Sequence, residues 1–101
     1  MIKQVEIEND KRVKLTGKET TVITFNRNIQ GLDILVMGKG NVYFKVATKE
    51  EDLEEEINEE NLECYLLNDF CKGLKLYQSF FFNTLIFNAD EDVDIQFLNI
   101  V

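Results

Sequence analysis

An all-β domain is the fold class this sequence predicts, and three observations carry it. Leu32, Ile34 and Val36 fall on one face of an extended chain, and Val42, Phe44 and Val46 repeat that spacing after Gly38-Lys39-Gly40-Asn41. Val93, Ile95 and Phe97 alternate with Asp94, Gln96 and Leu98 near the end of the sequence. Thr20-Thr21-Val22-Ile23-Thr24-Phe25 is rich in the β-branched residues that suit a pleated surface. Strand side chains point to opposite faces at period two, so these tracts read as strands with one buried face. About seven to nine short antiparallel strands, spaced roughly 8 to 12 residues apart, predict a β-sandwich or jelly roll.

Taken in order, Val5 and Ile7 alternate with Glu6 and Glu8, and Asn9-Asp10 turns the chain toward Val13 and Leu15. Thr16-Gly17-Lys18 is a second turn, and the Thr20 run follows it. Asn26-Arg27-Asn28 is expected to break that strand. The stretch 29–47 then reads as a β-hairpin closed by its glycines, which supply the positive φ angles of a tight turn. Leu62-Glu63-Cys64-Tyr65-Leu66-Leu67 is short enough for a strand. Asn68-Asp69 and Lys72-Gly73 mark turns around Phe70-Cys71. Residues 74–82 form a hydrophobic stretch with an aromatic end, and Thr84-Leu85-Ile86-Phe87 makes one more strand before the acidic turn Asn88-Ala89-Asp90-Glu91-Asp92.

One segment departs from this pattern. Thr48-Lys49-Glu50-Glu51 matches a capping box, and Leu53 and Ile57 lie four apart on one helical face. A short acidic helix or an acidic loop is therefore expected at 48–61. A disordered loop competes with it, because like charges at this density repel.

Composition bounds the chemistry. The 101 residues, 45% hydrophobic, suffice for a single domain with its own core over 1–101. No apolar run approaches the roughly 18 to 20 residues of a membrane helix, so no membrane partner is expected. The N-terminus lacks the apolar stretch of a signal peptide, and cytoplasmic synthesis is the expectation. Cys64 and Cys71 are too few for a disulfide framework and read as reduced, mostly buried thiols. With no histidine and one serine, a Ser-His or Cys-His nucleophile cannot be assembled within one chain, nor can a common Cys/His zinc site. Ten asparagines and no proline make asparagine the main turn former.

The net charge of −8 belongs to one segment. Residues 50–63 hold nine acids and no base, whereas the remainder holds eleven bases against ten acids. No Lys/Arg cluster reaches the density that phosphate binding needs, so nucleic acid is not an expected partner. Lys11-Arg12-Val13-Lys14 is the densest basic spot, and it reads as a turn and a strand's exposed face.

Candidate sites weigh unequally. The acids of 50–63 lack the spacing of a calcium loop, while Asp90-Glu91-Asp92-Asp94 is better shaped for a hard cation but first reads as a solvated hairpin tip. Paired acids can hydrolyse glycosides, yet no recognisable spacing and no tryptophan platform support that here. Gly38-Lys39-Gly40 lacks the pattern of a phosphate loop. No catalytic residue, metal or cofactor is therefore assigned. The run Phe80-Phe81-Phe82 is the leading apolar feature: three consecutive aromatics on a strand cannot all face one side. Phe80, Phe81 and Phe82, with Tyr43 and Tyr77, are the candidate partner contacts, and Tyr65 is a further ring that could stack on a sugar.

Residues 21–25, Asn28-Ile29-Gln30-Gly31-Leu32-Asp33-Ile34 and Gly40-Asn41-Val42-Tyr43-Phe44-Lys45-Val46, together with Leu85-Ile86-Phe87-Asn88 and the last alternating strand, carry a resemblance. Over residues 20–47 and 83–101 the chain resembles small β-sandwich accessory proteins of tailed bacteriophage virions. The resemblance implies a non-catalytic capsid decoration, head-fibre or tail subunit, made in the host cytoplasm and then held in the virion. Its implied partners are copies of itself or other virion proteins. The alternative is a stand-alone module that binds carbohydrate or a host protein through its tyrosines.

Overall fold

The computed structural model describes residues 2–47 and 65–101. The helix or loop expected at 48–61 lies outside the described residues. Seven strands are present: β1 (Ile2–Ile7), β2 (Lys11–Leu15), β3 (Thr20–Met37), β4 (Val42–Ala47), β5 (Tyr65–Leu67), β6 (Gly73–Ala89) and β7 (Val93–Leu98). The all-β expectation holds, and no helix occurs among the described residues. No helix long and apolar enough to cross a membrane occurs among them either.

All seven strands join one open sheet in the order β2-β7-β3-β6-β4-β5, with β1 beside β3. Pairing is antiparallel except between β1 and β3, which run parallel. That exception corrects the wholly antiparallel expectation. It arises because 12 residues separate Ile7 from Thr20, and β2 within them pairs instead with β7.

Two long strands organise the sheet. The expected break at Asn26-Arg27-Asn28 is a bulge within β3, and the two strands expected over 74–87 are one continuous β6. Between the pairs Thr24↔Thr84 and Ile29↔Phe82, β3 inserts Phe25 to Asn28 opposite the single residue Asn83. Between Ile29↔Phe82 and Gly31↔Tyr77, β6 inserts Gln78, Ser79, Phe80 and Phe81 opposite Gln30 alone. Bulges bend a strand and increase its twist. Successive bulges on the two partners turn the β3–β6 ribbon while keeping it paired on both sides.

The stretch 29–47 requires a correction. Gly38 and Gly40 take positive φ, as a reversal there demands, with values of 155° and 108°. Yet β3 and β4 do not pair with each other: both pair with β6, which lies between them. Period-two alternation fixes which face of a strand is buried and says nothing about which strand sits beside it. The face assignment itself is right. Leu32, Ile34, Val36, Val42 and Phe44 are all buried in one core, with Val46 packed against it.

That core gathers side chains from all seven strands, β5 contributing Leu67. Phe87 of β6 stacks on Phe44 of β4 at 5.1 Å and meets the edge of Phe97 of β7 at 5.7 Å, while Phe25 of β3 meets Phe97 at 6.1 Å. β7 and β4 are not neighbours in the sheet, so Phe87 joins parts of the sheet that no ladder links directly. Each such ring removes about 1.5 to 3 kcal/mol worth of apolar surface from water.

Candidate functional site

The β6 bulge sorts the aromatic run by face. Phe82, paired with Ile29, is 3% exposed and belongs to the core. Phe80 and Phe81, in the unpaired bulge, are 45% and 63% exposed. The expectation that at least one ring faces away from the core holds for two of the three. Phe82 is corrected from a contact residue to a core residue.

Tyr77 is 52% exposed and owes its position to a glycine. It pairs with Gly31, and a Cβ built on Gly31 would stand 2.1 Å from Tyr77 Cδ1. The phenol ring therefore lies across the bare backbone of Gly31, which pins it on the outer face. Four residue pairs further along, the arrangement is inverted: Leu35 of β3 lies over Gly73 of β6, whose Cβ would stand 3.0 Å from Leu35 Cδ1. Asp33 and Lys75 form the pair midway between them. Exposed Leu35 and Met37 and half-buried Leu98 continue the apolar surface on the same side.

Tyr43 stands elsewhere. It is half-buried, packs with Ala47 and Ile86, and pairs with Asn88, eleven residues along β6 from Tyr77 (88 − 77). Tyr43 and Tyr77, two of the three tyrosines offered for sugar stacking, sit against opposite ends of the same long strand and form no common platform. Tyr65 stacks on Phe44 at 5.1 Å, and its hydroxyl accepts a hydrogen bond from Gln78 Nε2 in the bulge at 3.3 Å. β5 is thereby tied to the aromatic bulge of β6.

Other candidates are structural in their geometry. Asp92 Oδ1 accepts a hydrogen bond from Gly17 N at 2.8 Å, and Lys18 N donates to Ala89 O at 2.7 Å, so the acidic turn clasps the turn at 16–18. Cys71 is exposed, which corrects its expected burial, and Cys64 lies outside the described residues. Among the described residues, no three acidic or cysteine side chains converge as metal ligands.

Sequence reasoning missed Phe70, which is 98% exposed. It sits at the tip of a two-residue turn in which Asn68 and Cys71 exchange backbone hydrogen bonds of 3.0 and 3.1 Å. Asn68 Oδ1 also accepts from Phe70 N and Cys71 N at 2.9 and 3.0 Å, and Asp69 Oδ1 accepts from Gly40 N at 3.3 Å. The available signal was Asn68-Asp69, a pair that closes turns with its side chains. Fold and site together define an all-β protein with aromatic side chains held outward by a bulge, a glycine seat and a pinned turn. No family model, no curated protein and no solved structure matches this chain.

Proposed function

We propose that this chain is a non-catalytic assembly protein, a structural subunit of a tailed-bacteriophage virion that decorates the capsid or serves as a tail accessory. The observation that carries the reading is the outward placement of Tyr77, Phe80 and Phe81 within one five-residue stretch of β6. Exposed aromatics grouped at one place mark protein–protein contact, where large rigid rings supply most of the binding energy. The ring contact between Phe87 and Phe97 supports the finer reading of the fold, a jelly-roll-like sandwich whose layers share β3 and β6. A net charge of −8 keeps such a subunit hydrated and away from packaged nucleic acid.

The test is incorporation. Particles from the source phage should carry the protein in many copies, and the double variant Phe80→Ser/Phe81→Ser should fold yet fail to join them. Absence of the wild-type protein from purified particles overturns the reading. The carbohydrate-binding alternative draws on the exposed ring of Tyr77. A glycan array giving a signal that Tyr77→Ala removes and Tyr43→Ala keeps would replace assembly with sugar binding.

A further inference from the structure

We propose that two copies of this chain pair about a two-fold axis, each inserting Phe70 into a cleft on the outer face of the other. This pairing does not rest on the virion reading, since a two-fold pair can act alone or as a building block.

The knob comes first. At 98% exposure Phe70 gives almost its whole side chain to water, an unfavourable placement for an apolar ring of this size. Its turn is also unusually well pinned for an exposed one, with two backbone hydrogen bonds, two to Asn68 Oδ1 and one from Gly40 to Asp69. A ring carried on an ordered turn loses little conformational freedom on binding, which is what a contact anchor requires.

The hole lies close by. A cleft of about 310 Å³ opens between Asp33, Leu35, Gly73, Leu74, Lys75 and Leu98. Leu35, which lies over Gly73, and Leu98 supply its apolar walls. That volume accommodates a phenyl ring with room to spare, and the lining matches it in polarity.

Proximity selects the symmetry. Phe70 and Gly73 are three positions apart in sequence, so they lie at most about 11 Å apart even on an extended chain. A ring cannot fold back into a cleft whose wall begins in the same short segment without undoing its turn. A knob and a hole this close together can instead be exchanged reciprocally around one two-fold axis, the commonest symmetry of soluble oligomers. A knob and a hole far apart would generate a ring or a filament. Charge does not oppose the exchange: Asp69 and Lys72 flank the knob, and Asp33 and Lys75 border the hole, one of each sign on either side.

The size of the contact sets its strength. An aromatic side chain buries about 150 to 250 Å². Two reciprocal insertions therefore cover roughly 800 Å² in total with their clefts, which is the range of weak, reversible association.

Sedimentation velocity of the full chain from micromolar to millimolar concentration tests the proposal, with circular dichroism and melting to verify folding. Wild type should pass from monomer to dimer over that range. Phe70→Ala should melt as wild type does and dimerise at least about tenfold more weakly, as loss of a contact anchor does. Phe70→Trp should retain the dimer. Leu98→Asp, which places a carboxylate in the cleft wall, should weaken it like Phe70→Ala. Wild type that stays monomeric, a Phe70→Ala dimer of unchanged affinity, or loss in Phe70→Ala with full retention in a folded Leu98→Asp overturns it. So does assembly into rings or filaments in place of a closed pair.

Discussion

The two halves of β6 share one strand and live in different environments. From Thr84 to Asn88 the strand is paired on both sides, with β3 and with β4, and through Ala89 it buries Leu85, Ile86, Phe87 and Ala89. From Gly73 to Tyr77 its described ladder partner is β3 alone, and its outward side carries Lys75 and Tyr77. The first half is buried on both faces, whereas the second buries only one, through Leu76 and in part Leu74. A strand's role is thus set by how many neighbours cover it, and the bulge at 78–81 marks where β6 changes from one role to the other.

The sharpest way to break the first half is Phe87→Ala. That ring touches Phe44 and Phe97, so its removal opens a cavity where separate parts of the sheet meet. A loss of about 3 to 5 kcal/mol is expected. Against a total of roughly 5 to 15 kcal/mol, this brings the protein close to unfolding at room temperature. Urea titration followed by circular dichroism measures it, and a loss below about 1 kcal/mol would show that the ring does not join the two parts.

The second half is better probed through its glycine seat. Gly31→Ala drives a methyl group into the Tyr77 ring and toward Leu76 O, which a Cβ would approach to 2.7 Å. Forced displacement of this kind costs about 1 to 3 kcal/mol. Because Tyr77 Cδ1 is the nearest atom, Tyr77→Ala should recover part of the loss, and the double variant should be less destabilised than the sum of the singles. Strict additivity in urea titrations would mean that the ring does not rest on Gly31.

Thr21 sharpens the comparison from the buried side. It pairs with Phe87 on β6, is buried, and its hydroxyl has no hydrogen-bond partner among the described residues. Valine has nearly the same shape without the polar atom. Thr21→Val should therefore raise stability by about 0.5 to 1 kcal/mol, read as a higher urea midpoint with unchanged slope. A lower midpoint would reveal a partner for that hydroxyl.

These contrasts also explain what could be read from the residues alone. β7 was legible to the residue, because Val93, Ile95 and Phe97 alternate cleanly with polar neighbours and nothing interrupts them. The buried faces of β3 and β4 were legible for the same reason. Their partners were not, since Leu32 to Val36 would alternate identically beside β4 or beside β6 and β7. The aromatic run disclosed a conflict of faces through local geometry, which is why two exposed rings were foreseeable. Which two depended on the bulge, and the bulge depends on how β3 and β6 register with each other. The turn that carries Phe70 was legible in Asn68-Asp69, but the ring's exposure was not, since the turn is also fixed by Gly40, 30 residues from Phe70 in sequence (70 − 40).

Phe81→Ser should have the smallest effect on stability and the largest on behaviour. The ring is 63% exposed and lies in the unpaired part of the bulge, so it leaves no closed cavity when removed. Surface substitutions of this kind usually change stability by no more than about 0.5 kcal/mol. If the bulge holds aromatic rings outward for the assembly role proposed above, losing one should reduce incorporation into particles while the urea midpoint stays fixed. Should the midpoint instead fall as far as it does for a core residue, Phe81 would be packed against something in the folded chain. The bulge would then be a device for packing, and the contrast between the halves of β6 would narrow to a difference in pairing alone.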